Sequence, residues 1–186
     1  MFRLAGRRGL WISVFCMALI ALAPSGCGKG EVSDEHAARI AYIGLDGAVD
    51  RALRLAMRGY NAATSANIPD QEEAGDESGT MVVGGKVDAG ASANKVITVT
   101  VSLEEYSDGY LEDEDGEQDI YIVYFTGEEA EEGEEAEEGE GLPILDLKLK
   151  GIPTGTFEGT FIGTFRMEGD LEGSVTLDLE IAGSLE

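Results

Sequence analysis

Gly155-Thr-Phe-Glu-Gly159-Thr-Phe-Ile-Gly163-Thr-Phe165 is a repeat of four residues. Four is even, so in an extended chain every copy presents the same side. One face carries Gly155, Phe157, Gly159, Phe161, Gly163 and Phe165; the other carries Thr156, Glu158, Thr160, Ile162, Thr164 and Arg166. The Gly-x-x-x-Gly spacing also occurs in paired membrane helices. Glu158, the β-branched threonines and the short apolar run argue against that reading. The stretch reads as a strand that bends at its glycines, with phenylalanine rings covering the gaps. A second use of the same face is an apolar groove lined by Phe157, Phe161 and Phe165, with Gly159 leaving room for a ligand.

A period of two extends to either side. Val175, Leu177, Leu179 and Ile181 alternate with Thr176, Asp178 and Glu180, and Leu145, Leu147 and Leu149 alternate with Asp146, Lys148 and Lys150. Residues 120–125 are apolar on both faces, which suits a central strand. Ile97, Val99, Val101 and Leu103 form another alternating set, as do Met81, Val83, Gly85 and Val87. Residues 61–79, small and acidic with Pro69, read as a linker. Upstream, Ser33 is a suitable helix N-cap, with Asp34 and Glu35 in the first turn. Leu45, Val49, Ala52, Leu53, Ala56, Met57 and Tyr60 then recur at helical spacing, which predicts a helix from about 34 to 58. Asp46, Asp50, Arg51, Arg54 and Arg58 fall on its polar face, and Gly44 and Gly47 weaken its start. That face is mixed in charge rather than basic, so the helix is expected on a sheet, not on a lipid surface. The fold class is α+β: one N-terminal amphipathic helix packed on a curved, mainly antiparallel sheet of about six strands. The alternative is a small β-barrel with the helix covering it.

The chain has 186 residues, 37 of them Asp or Glu against 13 Lys or Arg, for a formal charge of −24. No basic surface for nucleic acid follows from such a composition. The first 26 residues run against this trend, with Arg3, Arg7 and Arg8 and no acidic side chain. An apolar run from Leu10 to Pro24 follows, then Ser25-Gly26-Cys27. The run is too short to cross a bilayer core of roughly 30 Å. These residues resemble a bacterial lipoprotein precursor with a lipobox ending at Cys27, although Pro24 stands where that family usually has Leu. The resemblance covers residues 1–27 only. It implies removal of 1–26, acylation of Cys27, and a membrane partner reached through that lipid. Residue 28 is Gly rather than Asp, which by the same resemblance implies the outer membrane over the inner. Residues 27–33 would be the tether and 34–186 a single domain. Losing Arg3, Arg7 and Arg8 takes the charge from −24 to −27.

From Val96 to Leu147 there is no Lys or Arg. Within that span 127–141 is an acidic low-complexity loop, where Glu-Glu-Ala-Glu-Glu-Gly occurs twice and offers no large apolar side chain to bury. Asp113, Asp115 and Asp119 are the candidates for a divalent cation. The segment Asp113-x-Asp115-Gly116 is similar to the middle of an EF-hand loop. Leu111 and Ile122, however, occupy the first and twelfth positions, where carboxylates are needed. Millimolar affinity for calcium is the expectation. His36 is the only histidine, and Cys27 the only cysteine after the signal segment. A Ser-His-Asp or Cys-His arrangement therefore lacks its parts. No cofactor is implied, and the chain reads as no enzyme.

Three functional readings follow. The first is a non-catalytic envelope lipoprotein whose acidic domain is a surface or interaction module with an unnamed protein partner. The second is a carrier of an apolar ligand, a lipid or lipoprotein, in a groove between sheet and helix. The third is weak divalent-cation binding by the acidic loops.

Overall fold

The computed structural model describes residues 35–88, 91–112, 119–127 and 141–185. One helix, α1 (Glu35–Ala62), precedes eight strands: β1 (Asn67–Ala74), β2 (Ser78–Val87), β3 (Lys95–Ser107), β4 (Tyr110–Glu112), β5 (Asp119–Phe125), β6 (Ile144–Lys150), β7 (Thr156–Gly169) and β8 (Gly173–Ser184). The class is α+β with the sheet dominant, and every strand pairing is antiparallel. Eight strands stand where about six were expected. Even so, they fill six lanes. Between β3 and β7, strands β6 and β5 lie end to end: Thr100 faces Ile144 and Tyr106 faces Tyr124. Strand β4 likewise continues the lane of β3 and pairs with the outer part of β5. The lanes thus run β1, β2, β3 with β4, β5 with β6, β7, β8, in chain order. The sheet is open, with β1 and β8 at its edges, so the closed barrel is not the architecture.

The extra edge lane, β1, corrects the linker expected over 61–79. Its composition is polar, but Ile68 is buried, and the bulge between Ile68 and Gln71 accommodates Pro69. A proline at an edge-strand bulge removes no needed ladder donor. The carboxylates of β1 meet cations from α1. Arg54 and Arg58 lie 3.6 and 3.5 Å from Glu73.

The fourth lane is one strand interrupted by an insertion. On β7, the step from Arg166 to Ile162 spans four residues, while the chain opposite it runs from Phe125 to Ile144, nineteen residues. The other neighbour agrees. Thr126 N–H donates to Leu103 C=O and Val101 N–H to Pro143 C=O, so seventeen residues cover a step of two. Both flanks therefore count fifteen extra residues. The acidic loop 127–141 coincides with this insertion, and 128–140 lie outside the described residues. At its two ends Gly127 (φ 86°) and Gly141 (φ 77°) adopt left-handed backbone. A Cβ on Gly127 would sit 3.8 Å from Leu142 Cδ2, so the lane closes on itself across the insertion.

The inward faces form one core. Met81, Val83, Ile97, Val99, Leu145, Leu147, Phe161, Phe165, Leu177 and Leu179 belong to the same cluster as the buried side of α1. That side is largely alanine (Ala41, Ala48, Ala52, Ala56), which lets the helix axis approach the sheet. At Gly44 a Cβ would collide with the Tyr124 hydroxyl. That hydroxyl donates to Ala41 C=O at 3.1 Å. The glycine that weakens the helix locally is thus the seat of its contact with β5.

Two outcomes test this architecture. Deleting residues 128–142 should fuse Gly127 to Pro143 in register and leave the circular dichroism of the sheet unchanged. Removing a closed loop of that length should also stabilise the fold by about 2 kcal/mol in thermal melts. Gly44→Ala should lower stability, although alanine is favoured by about 1 kcal/mol at an unhindered helix position. Tyr124→Phe in the same chain should recover part of that loss.

Candidate functional site

Arg51 lies three residues after Ala48 and four before Leu55, which places it on the buried stripe of α1. It is 7% exposed. This corrects its assignment to the solvated face, where its charge alone had put it. Its guanidinium is the point where helix and sheet meet. Nη1 donates to Ala74 C=O at 2.5 Å and lies 3.3 Å from Glu73 Oε1. Nη2 donates to both Asp76 Oδ1 and Asp108 Oδ1 at 3.0 Å. The group also sits over the Tyr106 ring, 5.7 Å from its centroid. Nε is buried and has no hydrogen-bond partner among the described residues.

The partners come from two turns. Glu73, Ala74 and Asp76 belong to the end of β1 and the turn into β2, and Asp108 belongs to the break between β3 and β4. Gly109 (φ 107°) makes that break, in a conformation that favours glycine. Asp108 is held from three directions. Oδ1 also accepts the Asp76 N–H at 3.2 Å, and Oδ2 accepts the Tyr106 hydroxyl at 2.7 Å. Gly47 gives it space, since a Cβ there would be 3.0 Å from Oδ2. Around this centre Arg54 pairs with Asp50, and Arg58 donates to Gln71 Oε1 at 2.8 Å and to Glu72 C=O at 2.9 Å.

Tyr106 and Arg51 both hold their protons here. Burial pushes the Tyr106 phenol far up, and its bond to Asp108 adds to that, so it stays a donor across ordinary pH. Burial would draw the Arg51 guanidinium down, but the Asp76 hydrogen bond and the nearby charges raise it above its usual value. Burial likewise raises the Tyr124 phenol. The cluster therefore suits holding elements in place rather than moving a proton.

The sequence-derived candidates are dispersed. Phe161 and Phe165 are buried in the core, packed edge to face with centroids 6.0 Å apart. Phe157 is half-buried, and its ring covers Gly183, where a Cβ would lie 2.6 Å from it. Gly159 stands between Leu147 and Ile181. A Cβ on it would collide with the Asp146 carbonyl oxygen and lie 3.0 Å from Leu147 Cδ2. The space beside this glycine is thus occupied by β6. Asp119 opens β5 opposite Glu112. Asp113, Asp115 and Cys27 lie outside the described residues, and His36 is placed only as backbone in the first turn of α1. No group of three or more His, Cys, Asp or Glu able to hold a metal occurs among the described residues. No family model matches the chain, and neither the curated proteins nor the solved structures contain a match to it.

Sequence reasoning missed the Arg51 centre. The available signal was an arginine spaced three and four residues from alanine and leucine, together with an acidic segment at 70–77 that begins two residues after Ile68.

Removing Arg51 leaves the half-buried Glu73 and Asp108 carboxylates without their cation, so Arg51→Met should destabilise by about 2 kcal/mol in urea melts. Arg51→Lys should lie between, because an ammonium cannot serve Ala74, Asp76 and Asp108 together. A double-mutant cycle on Arg51 and Asp108 should give a coupling above 1 kcal/mol, while exposed Arg54 and Asp50 should give less than about 0.5 kcal/mol. Gly159→Leu should cost about 2 kcal/mol by overpacking. A stable Gly159→Leu domain would show instead that room exists there.

Proposed function

We propose that the chain is a lipid-anchored, non-catalytic envelope protein whose acidic domain serves as an interaction module at the membrane surface. The observation that carries this reading is the order of residues 1–27: three arginines, a fifteen-residue apolar run, and Ser25-Gly26-Cys27. The described domain begins at Glu35, eight positions after that cysteine, which leaves a short tether. Among the described residues no helix is long and apolar enough to cross a membrane, and the reading places attachment on the lipid of Cys27. Two or three acyl chains give durable attachment at about 0.8 kcal/mol per buried CH₂. The outer membrane is the proposed address.

The Arg51 centre supports a non-catalytic role, because Arg51, Asp76, Asp108 and Tyr106 are engaged with one another, and only Arg51 Nε lacks a partner among the described residues. The charge of −27 on the processed chain favours cationic partners over anionic ones, within the roughly 8 Å reach that physiological salt allows. The test is fractionation with mass analysis. The native chain should sediment with membranes and carry acyl mass on Cys27, and Cys27→Ser should be soluble and unacylated. Equal partitioning of both, or a native Cys27 without acyl mass, would overturn the proposal.

A further inference from the structure

The two edges of the sheet are treated differently. On β1, the carbonyls of Glu72 and Ala74, two residues apart and so pointing the same way, accept donors from Arg58 and Arg51. The bulge at Pro69 further breaks that edge. Strand β8 has no such protection among the described residues. It is twelve residues long, pairs with β7 without a break from Gly173 to Ser184, and has no strand on its other side. Every second residue of β8 therefore turns its N–H and C=O away from β7, on a side where no described strand lies.

The side chains of β8 specify what fits there. Its inward row, Val175, Leu177, Leu179 and Ile181, lies at the margin of the core. Its outward row carries Asp178 and Glu180, whose cross-strand neighbours on β7 are Ile162 and Thr160. Neither carboxylate makes a salt bridge within the described chain. The geometry points to β8 as a docking edge for an extended basic segment of another protein, added antiparallel as a further strand. Its apolar side chains would continue the inward row, and its Lys or Arg side chains would stand opposite Asp178 and Glu180. A second copy of this chain fits poorly. A symmetric pair of β8 strands centred on Asp178 or on Leu179 sets carboxylates directly opposite each other, which destabilises the pairing.

This inference rests on reading the domain as an interaction module, and anchoring is scored separately by the Cys27→Ser fractionation, so either can fail alone. The probe is a ten-residue peptide of alternating Lys and Val, added to the purified full chain at physiological salt. Hydrogen exchange should slow at alternate amides of β8 and not at β1. The same peptide N-methylated at alternate residues keeps its charge but cannot form a ladder, and should bind at least tenfold more weakly. Asp178→Lys with Glu180→Lys, both exposed, should also lose at least tenfold in affinity with an unchanged circular dichroism spectrum. Equal binding of the two peptides would show charge attraction alone and overturn the proposal. So would no binding, protection at β1, or β8 protection that grows with protein concentration in the absence of peptide.

Discussion

The arrangement depends on a single buried cation. Arg51 reaches from α1 to the end of β1, to the turn before β2 and to the break between β3 and β4, and no other described side chain joins so many elements. Apolar packing through Leu45, Leu55 and the helix alanines brings α1 to the sheet. Bonds to a carbonyl and two carboxylates in different turns add a directional constraint on its rotation and height. The neighbouring glycines make the reach possible. Gly47 admits Asp108 against the helix, and Gly44 admits Tyr124. Desolvating an arginine is costly, so the cluster is better understood as setting position than as a net source of stability.

The alternation of residues 155–165, and of the segments on either side, made the sheet legible in the sequence. Each lane with a clean period of two was visible, and chain order gave their sequence in the sheet. Two features were not visible, for physical reasons. Strand β1 has polar side chains because it lies at an edge beneath arginines, where burial does not select apolar residues; only Ile68 points to the core. The division of one lane into β5 and β6 depends on register with β3 and β7, and no property local to residues 119–150 encodes that.

The candidate site was less legible. Arg51 was assigned by its charge rather than by its place on the helical stripe, and its partners lie 23, 25 and 57 residues away. The Gly-Phe face was recognised as one face, but filled core and open groove require the same residue types. The difference lies in how near Asp146 and Leu147 come to Gly159, which is a property of the bend and twist of two strands.

The interrupted lane has a consequence for how this fold can be altered. Thr126 and Pro143 bond to β3 residues only two apart, so chain leaving the sheet at one returns beside the other. A segment whose own ends lie close together can occupy that place without asking the sheet to move. The same junction is a natural point at which to open the polypeptide and join its original ends elsewhere, because the lanes on both sides already hold the two halves in line. In that sense the sheet carries a built-in port, and the glutamate-rich stretch is its present occupant.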